Sequence, residues 1–473
     1  MLAARVQFNT YLFACFFALV LAVHQAPIPW TARKISLLVA SYVFYAAWDP
    51  VFVVLLWGST VVDWLVAKHM VRSRSPGRRK LLLATSLTVN LGLLVYFKYA
   101  GFLERSLASL LDACGIEWTP AAGDLVLPIG ISFYTFMTIS YTLDVYRRRC
   151  QPARSFLDYA LYVTFFPHLV SGPIVRATEL VPQFETPRRA TATQLGWGLA
   201  LVCLGLFEKV VVADGFLAPV VDHAYALDQI STADAWVGTV AFAGQIFCDF
   251  AGYSTCAIGV ALCLGFYLPQ NFRFPYAAIG FSDFWRRWHI SLSSWLRDYV
   301  YISLGGNRSG PTRTHVNLLF TMLIGGLWHG ASWTFVAWGG LHGVYLVGER
   351  VLRRVVPASP VWQTTGARLV IGLGTFALVC LAWVFFRSHG FDQAFRICAA
   401  MLGGGEGVSH PAWRYALVPV GGLLASHWLL RSTTLEDVVE RVPWPVVATV
   451  LATLVLSLFV FPGVDRAFIY FQF

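Results

Sequence analysis

The 473-residue chain is 57% hydrophobic and only 13% charged, with a mean hydropathy of +0.62. Soluble domains carry about 25% charged residues, so this composition excludes a soluble enzyme and implies an all-α, polytopic membrane protein. The net charge of +10 would suit nucleic acid, but the basic residues cluster in short loops between apolar runs, as the positive-inside rule requires, and no nucleic-acid partner is expected. The nine cysteines include no CxxC pair, so neither a metal site nor a disulfide framework is expected.

A membrane-crossing helix needs about 20 mostly apolar residues, and the chain offers about ten to twelve such segments. Within the first, Phe8–Val23, the stretch Tyr11–Val23 resembles a signal peptide, but His24 occupies a position where cleavage wants a small residue, so it reads as a span. Arg33 and Lys34 read as cytoplasmic loop charges before a second span, Ile35–Trp48. Asp49-Pro50 then turns the chain into Val51–Ala67. The stretch Lys68–Lys80 adds four arginines and no acid, which places it in the cytoplasm and the N-terminus outside. Leu81–Phe97 follows, then an acid-rich loop to Asp124 that suits the outside, then Leu125–Tyr146 ending in Arg147-Arg148-Arg149. Tyr159–Ile174 contains Pro167, Gly172 and Pro173, and such residues at membrane depth indicate a broken or re-entrant helix. Leu195–Ala213 carries Glu208-Lys209 near its end, and Ala235–Leu268 is long enough for one tilted span and part of another. Residues 274–314, rich in Trp, Arg and Ser, read as an amphipathic cytoplasmic segment rather than a span. Val316–Val347, Leu369–Phe386, Ala416–Leu430 and Pro445–Phe461 complete a single membrane domain over residues 1–473.

His329 stands between two almost uncharged runs, Val316–Trp328 and Ala331–Val347, the second broken only by His342. An ionisable side chain is costly in lipid and marks a functional site, and histidine can take or give a proton near neutral pH. Gly325, Gly326 and Gly330 remove side-chain bulk around it, letting other backbones or a ligand come close, and Trp328 and Trp333 supply flat walls. Around His289, a helix turning about 100° per residue would put Trp285, Trp288, His289 and Leu292 on one face. Arg286 and Arg287 would then lie to the side and opposite. Two readings stay open there: an interfacial helix, or arginine forks for the phosphates of coenzyme A or a phosphopantetheine carrier. On an uninterrupted helix His342 would lie about 140° from His329, so it reads as structural support. At membrane depth Asp249 needs a partner or a water-filled cavity, and its purely structural use would be a buried hydrogen bond that holds a kink at Gly252. The chain contains no Walker A loop, GxSxG elbow or HExxH motif, which excludes an ATP-driven pump or an ordinary serine hydrolase.

The motifs Leu127–Tyr134, Phe166–Pro173, Asp249–Ser254, Asn271-Phe272, Phe284–Asp298, Leu304–Arg308 and Gly325–Trp333 resemble the bacterial membrane-bound O-acyltransferase (MBOAT) family. The branch they resemble is the alginate O-acetyltransferase type, which also has peptidoglycan and cellulose O-acetylating members. One departure is Ser254-Thr255-Cys256-Ala257, where the branch usually carries an acid. The resemblance implies a ring of about 10–12 transmembrane helices whose cytoplasmic and periplasmic funnels meet at a thin centre. It matches His329 to the family's active-site histidine and His289 to a second histidine of the cytoplasmic funnel. The donor side falls on Trp285, Arg286, Arg287, Trp288 and Asn271, with Asp249, Trp328 and His342 as support.

No bound cofactor is implied. The donor substrate would be acetyl-CoA or another acyl thioester, the location the bacterial inner membrane, and the acceptor an extracytoplasmic polysaccharide reached with an SGNH-hydrolase-like periplasmic partner. The aromatic end, 468–473, reads either as an interfacial aromatic belt or, by its resemblance to the C-terminus of a small peptide of the D-alanyl system, as an acyl relay through Tyr470. The competing reading is a transporter or flippase for lipid-linked sugars, which would show paired helix interruptions in two halves.

Overall fold

The computed structural model describes residues 7–119, 126–357, 359–461, 466, 468 and 469. Among these residues every regular element is helical, as the composition requires. Five helices are long and apolar enough to cross a membrane, and two more, Tyr11–Gln25 and Trp444–Val460, are apolar but shorter. The protein is therefore a multi-pass membrane protein. The chain divides into two compact units, residues 1–202 with 256–269, and residues 203–255 with 270–473.

The first unit contains α1 (Tyr11–Gln25), α2 (Trp30–Ala46), α3 (Pro50–Arg72), α4 (Pro76–Ala113), α5 (Ile131–Tyr146), α6 (Phe156–Thr164), α7 (Phe166–Leu169), α8 (Ala177–Glu185) and the start of α9 (Ala192–Ala226). Asp49 caps α3 by accepting the Val51 N–H, with Pro50 at the first helical position, where a missing N–H costs nothing. Asp63 on α3 accepts hydrogen bonds from Ser86 (2.6 Å) and Asn90 (2.9 and 3.0 Å) on α4. Asn90 in turn accepts one from Thr138 on α5. Polar side chains paired in this way hold membrane helices together where lipid offers no hydrophobic drive.

Three expectations are corrected in this unit. Arg33 and Lys34 are not loop charges: both are buried on α2, and Lys34 forms an ion pair with Asp158 on α6. A buried ammonium needs that carboxylate, so these residues carry no orientation signal. The helix of the fourth span continues to Ala113 through a π-helical turn at Val95–Tyr99, so much of the expected outside loop is helix. The fifth helix starts only at Ile131, after Gly130 in the left-handed conformation. The expected interruption is present, because α6 ends at Thr164 and α7 restarts at Phe166.

The second unit contains the rest of α9, most of α10 (Thr232–Cys263), α11 (Phe281–Trp285), α12 (Ile290–Trp295), α13 (Gly310–His329), α14 (Trp333–Val355), α15 (Thr365–Arg387), α16 (Phe391–Ala399), α17 (Leu417–Leu429), α18 (Leu435–Arg441) and α19 (Trp444–Val460). The long apolar run around His329 is two helices broken at residues 330–332. They cross closely at Gly326 and Gly339, where a Cβ on Gly326 would strike the Phe335 carbonyl oxygen. The small residues near His329 thus serve helix packing. Gly330 has the same use, because a Cβ there would run into the Phe335 ring. The helix α10 runs unbroken through Gly252, so no kink forms there. That glycine instead lets α9 approach, since its Cβ would meet the Gly205 carbonyl oxygen at 2.6 Å and the Lys209 nitrogen at 3.0 Å.

Candidate active site

His289 does not lie within a helix. It joins α11 to α12 with φ +40° and ψ +57°, a left-handed conformation that costs a non-glycine residue on the order of 1 kcal/mol or more. The surroundings hold it there. Ile290 donates its N–H to the Asn271 carbonyl oxygen at 2.8 Å, and Ser291 donates its hydroxyl to Asn271 Oδ1 at 2.6 Å. Asn271, expected on the donor side, is 1% exposed and brackets the His289 turn from within. The single helical face drawn through Trp285, Trp288, His289 and Leu292 is therefore broken, because α11 ends at Trp285.

His329 is the last residue of α13, and both histidines are buried. Their ring centroids lie 6.3 Å apart. Trp328 contacts both rings, at 5.7 Å from His289 and 5.0 Å from His329. Phe250 meets His289 edge-on at 4.6 Å, and Trp338 and Phe386 stand 5.0 and 5.3 Å from His329. The pair thus sits in an aromatic box, whose low dielectric strengthens every polar interaction inside it.

His342 is fully buried and reaches the same box from α14. Its ring is 4.8 Å from Trp338 and 5.1 Å from Trp285, and the break after His329 means that the two histidines do not share one uninterrupted helix. Trp338 lies between them. Trp288 is fully buried among Phe272, Phe284 and Trp383.

The two arginines differ. Arg286 is exposed. Arg287 donates from Nε to Asp283 at 2.9 Å and from Nη1 to the carbonyl oxygens of Arg273 and Arg431 at 3.2 Å. Arg431 donates to the other Asp283 oxygen at 2.8 Å. Burial pushes the Asp283 carboxyl up, but the Ile279 amide and the two guanidinium groups outweigh it and hold Asp283 below the usual carboxylate range. Arg287 and Asp283 therefore brace the segment that carries Trp285 and His289.

Asp249 has the partner it needs. Its Oδ1 pairs with Lys209, whose Nζ also lies 2.9 Å from Asp214, and its Oδ2 accepts the Ile469 N–H at 3.0 Å. Lys209 is the residue the sequence reading left unassigned. Its signal was present, because a cation inside an apolar helix demands an acid somewhere. Tyr470 lies outside the described residues.

Comparison with known proteins identifies the family of the chain. The family model for MBOAT, the membrane-bound O-acyltransferase family, matches residues 152–390. The probable alginate O-acetylase AlgI of Azotobacter vinelandii is 44% identical over 378 residues, covering 79% of this chain and 73% of that protein. The peptidoglycan O-acetyltransferase of Helicobacter pylori is 36% identical over 397 residues, covering 78% and 74%. The teichoic acid D-alanyltransferase of Streptococcus thermophilus is 30% identical over 234 residues, covering 46% and 56%. Both the family model and the long alignments span the histidine pair, and the chain is a multi-pass membrane acyltransferase that belongs to the membrane-bound O-acyltransferase family.

Proposed function

We propose that the protein takes an acetyl group from acetyl-CoA on the cytoplasmic side of the bacterial inner membrane and passes it outward for O-acetylation of an exopolysaccharide of the alginate kind. The observation that carries this reading is the buried His289–His329 pair in its aromatic box. In this reading the helices form a ring, funnels from the two sides meet at that pair, and the N-terminus is periplasmic. The relatives named for alginate and peptidoglycan support a polymer hydroxyl as final acceptor.

A thioester is already activated, so the chemistry requires no ATP. A hydroxyl is a weak nucleophile until a base takes its proton. Neutral His329 removes that proton, the oxygen attacks the thioester carbonyl carbon, and the carbon–sulfur bond breaks. The departing thiolate takes the proton from His329 and leaves as coenzyme A. His289, fixed by Asn271, faces the donor side, with Trp285 and Trp288 as walls and exposed Arg286 as the contact for the donor's phosphates. The first acceptor is the Tyr470 phenol, which carries the acetyl group as an ester. An SGNH-hydrolase-like periplasmic partner then moves it to the polysaccharide.

The test is transfer from radiolabelled acetyl-CoA in proteoliposomes with wild type, His329→Ala and Tyr470→Phe. Label retained on wild type and lost in both variants is the expected result. Wild-type labelling by His329→Ala would overturn the role of the histidine, and full activity of Tyr470→Phe would discard the relay.

A further inference from the structure

Arg466, Phe468 and Ile469 are fastened within the second unit at several points. Arg466 pairs with Asp222, which also accepts from Arg387 at 3.0 Å. The Phe468 ring is buried, 4.9 Å from Tyr253 and 5.7 Å from Phe250. Ile469 is 5% exposed and packs into the hydrophobic core of this unit. Phe250 is in turn the ring that meets His289 at 4.6 Å.

One of these contacts differs in kind. Asp249 is 2% exposed, and its Oδ2 accepts a main-chain N–H, from Ile469. Hydrogen bonds to an ionised acceptor are roughly twice as strong as neutral ones. They are read by the backbone, so the identity of the side chain at 469 does not matter to them. Lys209 holds the other oxygen, and Asp214 steadies Lys209. The close approach of α9 at Gly252 brings that lysine within reach.

We infer that Asp249, fixed by Lys209, is the latch that docks Phe468 and Ile469 against Phe250, the ring that meets His289, and so a positioning residue for transfer through Tyr470, the next residue in the chain. The positioning role rests on the relay proposed above, whereas the docking itself does not. Asp249 acts through the chain it holds and not on the acetyl group.

Hydrogen exchange read by mass spectrometry on the full-length protein tests the latch without any donor. Asp249→Leu removes the acceptor and leaves Lys209 neutralised by Asp214. Ile469→Pro removes the donor and leaves the ion pairs intact, which guards against a folding defect in the first variant. Asp249→Asn keeps an acceptor. The expected result is exchange about tenfold faster in the C-terminal peptide for Asp249→Leu and Ile469→Pro, with peptides from α10 and α13 unchanged, and near wild-type protection for Asp249→Asn. Unchanged exchange of the C-terminal peptide in both disruptive variants would overturn the latch. Faster exchange together with a fully active Tyr470→Phe enzyme would leave the latch standing and remove the relay.

Discussion

The crossing of α13 and α14 sets the position of His329, and one methyl group tests that dependence. A Cβ on Gly326 would penetrate the Phe335 carbonyl oxygen and lie 3.1 Å from both Cα and N of Gly339. Non-bonded carbons are comfortable at about 3.5–4.0 Å, and backbone atoms cannot swing aside as a side-chain tip can. The two helices must therefore part by about 1 Å, at an overpacking cost of about 1–3 kcal/mol. His329 ends α13 only a few residues later, so the shift reaches the proposed base. A misplacement of about 1 Å can cost a reaction about a hundredfold. Gly326→Ala should then lower acetyl transfer in proteoliposomes by about a hundredfold, with a modest fall in the thermal unfolding midpoint. Gly340→Ala is the matched control, because its Cβ would meet only Leu323 Cδ2 at an ordinary 3.5 Å, and stability should stay within about 0.5 kcal/mol. A wild-type rate for Gly326→Ala, or equal damage from Gly340→Ala, would refute the reasoning.

Other consequences can be measured with the same preparations. Lys209→Met strands Asp214 and Asp249 in the interior, so it should destabilise the protein by about 3–5 kcal/mol, read as a lower melting midpoint in detergent. Asn271→Ala removes the acceptor of the Ser291 hydroxyl, at about 1–3 kcal/mol. It should slow transfer while Asn271→Asp, which keeps an acceptor, slows it less, and equal rates for the two would contradict the bracketing role. Asp283 has its carboxyl held low in the folded state, so its stabilisation is full above the unfolded value of about 3.9. It is lost as pH falls through the lower folded value. The wild-type melting midpoint should drop on acidification below about pH 4, and Asp283→Asn should flatten that limb of the curve.

The sequence exposed the membrane class, the breaks near Pro167 and the motifs that carry His289 and His329, because hydropathy and helix breakers act locally. It hid what depends on distant pairing or on backbone sign. The residues from Trp285 to Leu292 have the spacing of one helical face, and only the left-handed backbone at His289 reveals the turn that aims its ring. Lys34 looks like a loop charge until Asp158, 124 positions away, is found beside it. The glycines at 326 and 330 announce small volume, and of the two occupants that the sequence allows, a neighbouring helix or a ligand, the helix with Phe335 and Gly339 fills it. A run of apolar residues also cannot say that it stops at His329 and restarts at Trp333, although Ser332 leaves a faint mark by capping α14 through the Thr334 N–H.

The partners of Asp249 bear on how the proposed base, His329, is aimed. In a Ser-His-Asp arrangement a carboxylate holds the second imidazole nitrogen and stabilises the imidazolium, and Asp249 is the acid that the sequence places inside the candidate site. Yet Lys209 pairs with its Oδ1 and the Ile469 N–H donates to its Oδ2. Asp249 is accordingly neutralised by a lysine and turned toward the C-terminal segment, while the histidine pair stands among aromatic rings. A histidine aimed by packing loses rate when its walls move, and a histidine aimed by a carboxylate loses rate when the charge is removed. Losses at Gly326 that exceed those of Asp249→Asn would place His329 in the first class.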